Sequence, residues 1–347
     1  MGEYIKSLGE FALIDRISQI VKGSLKGSTT GIGDDCAVVT PTQFGPLFIT
    51  TDSMIDGVHF DLKLCSMFDV GWKLLSVSLS DIAAVGGAPR WAVVTLGVSG
   101  EQSVVEVEEF YRGISTIAEK FGVEIVGGDT IATEKITVGL TLIGESVATT
   151  SLLRTGAKSG DKLYVSGEIG GGGAGLKACR LPLEKQGAAE FSAVRSKYLR
   201  PQPQIKLGQS LAKLGLSSCA IDISDGLLQD ANHLVNRSNV DIELHLWQIP
   251  IMEGVADIGM RPIDAVVAGD DYELLFTSPF EEGELLEKLK PFSEEALPKL
   301  TNIGVVRNRQ GETGELFVKT TPESKAESFK IALDSAGLSQ RAGFNHF

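Results

Sequence analysis

The chain has 347 residues, a hydrophobic content of 43%, a charged content of 22% and a formal net charge of -13. That length exceeds what one hydrophobic core usually serves, so two domains are expected. The acidic balance argues against a general nucleic-acid or anionic-membrane surface, which needs clustered Lys and Arg, but it admits an anionic ligand where bound cations invert the local field.

The cysteines, Cys36, Cys65, Cys179 and Cys219, show no CxxC spacing, so neither a structural zinc site nor a disulfide framework is expected. Met1-Gly2-Glu3-Tyr4-Ile5-Lys6 carries no basic segment followed by an apolar run. No apolar stretch approaches the roughly 20 residues of a bilayer span. A reducing cytoplasm is the expected location.

In chain order, Phe11, Ile14, Ile17 and Val21 repeat at helical spacing and predict an amphipathic helix over 9–22. Leu47-Phe48-Ile49-Thr50-Thr51 reads as a short strand ending at Asp52. Residues 67–86 read as a helix whose apolar Val70, Leu74, Val77 and Ile82 leave Asp81 as a charge on or beside a buried stripe. Trp91 to Val98 is a predicted strand, 103–121 a helix, and Val123 to Val126 a strand that turns at Gly127-Gly128-Asp129. Ile136 to Val147 alternates like a long strand.

A polar, turn-rich connector over 148–160 divides the chain into domains 1–148 and 149–347. Beyond it, Lys162 to Ser166 reads as a strand, then comes the glycine run 170–173 and a helix through Leu176 and Ala178. Pro201 and Pro203 mark a helix start near 203, Cys219 to Ile223 is a strand, and 227–237 a helix. Ile263 to Ala268 and Glu273 to Thr277 follow as strands, with a helix at 281–290. This mixture predicts α/β (α+β) domains and leaves topology open.

Short aspartate-bearing segments punctuate this frame: Gly31-Ile32-Gly33-Asp34-Asp35-Cys36, Thr50-Thr51-Asp52-Ser53, Leu79-Ser80-Asp81, Gly127-Gly128-Asp129-Thr130, Asp222-Ile223-Ser224-Asp225-Gly226 and Gly269-Asp270-Asp271-Tyr272-Glu273. Carboxylate oxygens are the preferred ligands of a hard cation such as Mg2+, which meets its substrates through phosphates. Neighbouring glycine lets the backbone come close to a ligand. Together the segments predict a site assembled around several metal ions and phosphate.

Each segment alone has a plainer reading. Asp34-Asp35 is an ion-holding pair, because adjacent like charges repel, or an Asx turn. Thr50-Thr51-Asp52 clusters hydroxyl, carbonyl and carboxylate oxygens, or is a solvated strand end. Asp81 is a ligand or half of a structural ion pair, since a lone carboxylate on an apolar face is costly. Asp222 and Ser224 share a strand face, while Asp225 is a ligand or an N-cap for the helix at Leu227. The run Gly167 to Gly175 suggests a phosphate cradle, but without the Gly-Lys-Ser/Thr ending of a P-loop a flexible turn is the simpler reading. No histidine sits in a Ser-His-Asp or Cys-His motif; His59, beside the acidic stretch, is the one that stands out.

The stretches GIGDDCAVV at 31–39, TTDSMIDGVHF at 50–60, SLSDIAAVGGAPRW at 78–91 and GGDT at 127–130 form a pattern with LLRTGAKSGD at 152–161 and LRPQP at 199–203. DISDGLLQD at 222–230, GDDYELLFT at 269–277 and GFNHF at 343–347 complete it. On these motifs, which run essentially end to end, the chain resembles the thiamine-monophosphate kinase family, within the superfamily that includes aminoimidazole ribonucleotide synthetase.

The resemblance implies a two-domain aminoimidazole ribonucleotide synthetase-like fold, an amino-terminal sheet that pairs across a homodimer, and a larger carboxy-terminal α/β domain. It implies ATP as co-substrate, several Mg2+ ions, and thiamine monophosphate as acceptor. On this numbering it places Asp35, Thr50, Thr51, Asp52, Asp81, Asp129, Asp222 and Asp225 on metal. It places Gly128, Asp129, Arg154 and Ser224 on ATP, and His59, Asp270 and Phe344 on the substrate. No general base is implied, and neither nucleic acid nor membrane is a partner. Ala268-Gly269-Asp270 departs from the family's Gly-Gly-Glu, and Phe344 from its Trp or Tyr. Two alternatives stay open: another ATP-using enzyme of the superfamily, and a non-catalytic nucleotide-binding protein.

Overall fold

The computed structural model describes residues 3–21, 39–42, 45–182, 191–292 and 297–328. Asp34, Asp35, Cys36, Phe344 and the terminal GFNHF motif lie outside the described residues. The chain divides into two units, Met1–Ile82 with Ala88–Ser146, and Ala83–Gly87 with Val147–Phe347.

The first unit opens with the short α1 (Ile5–Leu8) and α2 (Glu10–Val21), followed by β1 (Leu47–Ile55). After α3 (Met67–Ala84) come β2 (Gly87–Val98), α4 (Val104–Phe121), β3 (Glu124–Ala132) and β4 (Thr137–Ser146). The strands form one sheet of order β1-β4-β2-β3, with β1 antiparallel to β4 and β2 parallel to β3.

Alternation fixes its two faces. Val138, Leu140 and Leu142 of β4 and Val94, Leu96 and Val98 of β2 are buried, and the residues between them point the other way. Leu74, Leu75 and Leu79 of α3 and Phe110, Ile114 and Ile117 of α4 complete the core. The two helices cross at a pair of glycines. A Cβ on Gly71 would collide with the carbonyl of Phe110, and one on Gly113 with the carbonyl of Phe68. Leu13, Ile17 and Val21 of α2 are buried, and Arg16 reaches Glu108 of α4 at 3.2 Å.

The second unit begins with β5 (Lys162–Ser166), α5 (Gly171–Cys179), α6 (Ser192–Leu199) and α7 (Ile205–Lys213). Next are β6 (Cys219–Asp222), α8 (Leu227–Ser238), β7 (Asp241–His245) and α9 (Pro262–Val267). It ends with β8 (Leu274–Ser278), α10 (Glu282–Leu289), β9 (Leu300–Arg307), β10 (Leu316–Lys319) and β11 (Glu327–Ser328). The sheet order is β11-β10-β7-β9-β5-β8-β6, antiparallel apart from the β7–β10 pair. Leu227, Leu228, Ala231, Leu234 and Val235 lie on one face of α8 and pack with Val165, Ile221, Leu275 and Ile303 of the strands. A smaller cluster of Ala174, Ala178, Val194, Val255 and Ala265 joins α5, α6 and α9.

Several elements differ from the sequence expectation. The strand expected at Ile263 to Ala268 is the helix α9: Pro262 presets its first turn, and the Asp264 carboxylate accepts the N–H of Arg261 at 3.1 Å. Strand β1 runs on past Asp52, its expected end, to Ile55, and β3 runs through Gly127-Gly128-Asp129 to Ala132, where a turn was expected. Neighbouring strands supply the hydrogen bonds that override these weak strand formers. Among the described residues, no helix is long and apolar enough to cross a membrane.

Candidate functional site

In the first unit, period-two alternation turns Thr50 and Asp52 of β1 toward α3, and helical spacing places Ser78 and Asp81 one turn apart on the facing side. Thr50 donates its hydroxyl hydrogen bond to the Asp81 carboxylate, and Ser78 donates to Asp52 at 2.6 Å. Burial, with the Asp81 charge nearby, pushes the Asp52 carboxyl up to about 6 in spite of the Ser78 bond. Two carboxylates and two hydroxyls therefore share a partly desolvated pocket. An all-oxygen, self-repelling donor set of this kind fits a hard divalent ion.

Thr51 points to the opposite, open face, where its hydroxyl donates to the Leu140 carbonyl at 3.3 Å and accepts from Thr141 at 3.0 Å. Asp129 also lies on that open face, beside Thr95 of β2. Three strand steps separate it from β1, about 14 Å at the usual spacing. Within one chain the structure thus joins Thr50, Asp52 and Asp81, and leaves the Thr51 side chain and Asp129 apart from them. Gly128 runs close against the carbonyl of Val94, which leaves no room for a side chain. His59 sits in the turn after β1, its Nδ1 accepting the N–H of Ile55 at 3.1 Å, so the proton is on Nε2.

In the second unit, buried Asp222 ends β6, and the loop Ile223 to Gly226 leads into α8. Asp230, in the first turn of that helix, folds back and accepts the N–H groups of Ser224 and Asp225, each at 3.1 Å. The N-cap position of α8 falls on Gly226 and not on Asp225, and Asp230 braces the loop that carries Asp225. Burial first, then the charges of Asp222 and Asp225, push the Asp230 carboxyl up to about 8. The ligand atoms of Asp225, Asp230 and His233 lie within 4.8 Å of one another. Burial and the positive charge of Arg154 hold His233 below the usual histidine range. Arg154 is exposed, on a segment that bridges to β6 through Leu153 and Cys219. Here too, carboxylates that disfavour one another's charge fit a divalent cation.

The sequence reading missed Ser78, Asp230 and His233. Ser78 was legible as a residue three before Asp81 on the same helix face. Asp230 and His233 follow Asp225 at helical spacing, but nothing local shows that α8 folds them back on the loop.

Residues 33–146 match the AIR synthase related protein, N-terminal domain, and residues 158–317 match the AIR synthase related protein, C-terminal domain. The thiamine-monophosphate kinase of Aquifex aeolicus is 36% identical over 312 residues, covering 88% of this chain and 94% of its own. The chain belongs to the thiamine-monophosphate kinase family. The crystal structure of thiamine-monophosphate kinase from Stenotrophomonas maltophilia K279a matches with a TM-score of 0.76 at 31% identity, over 89% of this chain and 96% of that one. AaThiL complexed with AMPPCP and TMP matches at 35% identity and a TM-score of 0.70, over 94% of this chain and 98% of that one. The two-domain fold expected from the motifs is the fold found.

Proposed function

We propose that this protein transfers the γ-phosphoryl group of ATP to thiamine monophosphate, giving thiamine diphosphate and ADP. The observation that carries the reading is the paired set of Asp52 and Asp81, bonded by Ser78 and Thr50, in a chain of this family. Donor and acceptor are both anions. Mg2+ held by such carboxylates supplies the positive charge that offsets their repulsion and stabilises the charge of a loose transition state.

The chain's own residues then divide the work. Asp35, Thr50, Thr51, Asp52, Asp81, Asp129, Asp222 and Asp225 serve the metal ions, with Asp230 bracing the loop of Asp225. Gly128, Arg154 and Ser224 serve ATP, the Arg154 guanidinium as a clamp on phosphate oxygens. His59, Asp270 and Phe344 serve the acceptor, where the Asp270 carboxylate complements the cationic thiazolium. The acceptor oxygen is already ionised, so no general base is needed. Domain 1–148 supplies Asp35, Thr50, Thr51, Asp52, Asp81, Gly128, Asp129 and His59 with the dimer contact, and domain 149–347 supplies Arg154, Asp222, Ser224, Asp225, Asp270 and Phe344, in a cytoplasmic enzyme.

With γ-labelled ATP, thiamine monophosphate and Mg2+, the label is expected in thiamine diphosphate, and excess EDTA stops its appearance. Label released as inorganic phosphate, with no thiamine diphosphate, would instead assign an activity of another superfamily member.

The open face of the first sheet supports a homodimer. Leu47, Ile49, Val93 and Ile131 stand 46%, 69%, 38% and 44% exposed on or beside it, apolar area of the kind a second copy covers. Thr51 and Asp129 lie on the same face. Ile49→Lys is expected to give the monomer mass in size-exclusion chromatography with light scattering; an unchanged dimer mass rules out this face.

A further inference from the structure

The glycine run and Asp271 have no part in the reading so far, yet the structure joins them. Asp271 is fully buried, and its carboxylate accepts the N–H of Gly170 at 2.8 Å and of Gly172 at 3.0 Å. These amides are those of the N-cap and the first turn of α5, whose amino terminus is thus closed by a side chain of the chain itself. The run is therefore neither a free phosphate cradle nor a loose turn. Its glycines let the segment 268–271 lie directly on the helix: a Cβ on Gly172 would stand 2.5 Å from the carbonyl oxygens of both Gly269 and Asp270.

Further bonds tie the same segment down. Glu273, also buried, accepts from the Ser166 hydroxyl at 2.6 Å and pairs with the Lys197 ammonium. On the side facing β6, Asp270 N–H donates to the Ser224 carbonyl at 2.9 Å, and Tyr272 N–H to the Ile223 carbonyl at 2.8 Å. Between these tethers the backbone is left-handed at Asp270, φ 69°, and at Tyr272, φ 50°. Such conformations cost roughly 1–3 kcal/mol each in non-glycine residues and persist only where the surroundings impose them. The Tyr272 hydroxyl finally donates to Asp270 Oδ1 at 2.8 Å, orienting that carboxylate.

We propose that Asp271 is a positioning residue: by closing the amino terminus of α5 it fixes the left-handed turn that aims Asp270 at the cationic part of the acceptor. The proposal rests on the phosphotransfer reading above. It adds a buried residue that touches neither nucleotide nor acceptor and acts through its neighbour. The role follows from shape, since both oxygens of Asp271 are used, one on each amide.

The test is steady-state kinetics of the full chain with thiamine monophosphate and ATP, on the wild type, Asp271→Asn and Tyr272→Phe. Asn keeps the shape but offers one acceptor oxygen to two N–H groups; Phe keeps the ring and removes only the hydroxyl that orients Asp270. In Asp271→Asn the KM for thiamine monophosphate is expected to rise about tenfold, as follows from leaving one buried donor without its partner. In Tyr272→Phe it rises about threefold, while kcat and the KM for ATP stay within about twofold in both variants. A merely structural role would reduce the active fraction, lowering kcat and leaving both KM values alone, and that result overturns the proposal. An equal rise in both KM values overturns it too. If Asp271→Asn does not fold, Tyr272→Phe decides, and an unchanged KM for thiamine monophosphate is the contrary result. Failure of the underlying reading shows separately, as a wild type that makes no thiamine diphosphate.

Discussion

Asp52→Asn should lose about a hundredfold to a thousandfold in thiamine diphosphate formation, the usual scale for removing one preorganised charge contact to a phosphoryl transition state. The same substitution should not weaken the fold. In the metal-free protein the Asp52 carboxyl titrates at about 6, above its unfolded value, because it is buried and faces Asp81. A carboxyl raised in this way contributes stability that is fully present below its unfolded pKa and is lost as pH rises through about 6. At pH 7 the ionised side chain therefore opposes folding, and the neutral amide does not, while its oxygen still accepts the Ser78 bond. The metal-free variant is expected to melt at or above the wild-type temperature at pH 7, and the wild type to regain ground as pH falls from 7 toward 5. A variant that melts several degrees lower at pH 7 would make Asp52 a structural residue. Calorimetry in EDTA, beside turnover with Mg2+, separates the two outcomes.

Gly113→Ala is expected to destabilise the first unit by about 2 kcal/mol or more, although alanine is the better helix former by roughly 1 kcal/mol. The added methyl group would run into the Phe68 carbonyl and stand 3.0 Å from Trp72 N, both backbone atoms of α3 that cannot turn aside. Gly71→Ala should behave alike, since its Cβ meets the backbone of Phe110 and Ile114. Gly283 in α10 provides the contrast, because a Cβ there meets nothing within 4 Å. Gly283→Ala should stabilise by a few tenths to about 1 kcal/mol. Denaturant melts of the three variants test the sign: Gly113→Ala or Gly71→Ala at or above wild-type stability would mean that α3 and α4 do not cross so closely.

Long periodic segments were legible in the sequence. Helices α3 and α4 and strands β2 and β4 announce themselves by apolar spacing over 10–18 residues. Shorter segments depended on their neighbours. Thr-Thr-Asp-Ser extends β1 because β4 pairs with it residue by residue, from Leu47 opposite Glu145 to Ile55 opposite Thr137. The apolar run at 263–268 fits a strand or a helix equally by composition, and Pro262 with Asp264 decided for the helix. The glycine run was the hardest, since glycine reports only that something comes close, and the carbonyls of Gly269 and Asp270 lie about a hundred residues away in sequence.

The candidate site was legible as a list of oxygens but not as an arrangement. Spacing alone shows that Thr50 and Asp52 share a face and that Thr51 does not. It does not show which helix covers that face, or that Asp129 takes the opposite edge of the sheet. Asp230 was visible as the end of a motif, while its two backbone bonds to the Ser224–Asp225 loop belong to the fold.

Phosphorus NMR of one reaction mixture tests the central claim most directly. With the protein, ATP, thiamine monophosphate and Mg2+, the two phosphorus signals of thiamine diphosphate should grow in step with those of ADP, one for one, and stop on addition of EDTA. ADP or AMP accumulating without thiamine diphosphate would contradict it.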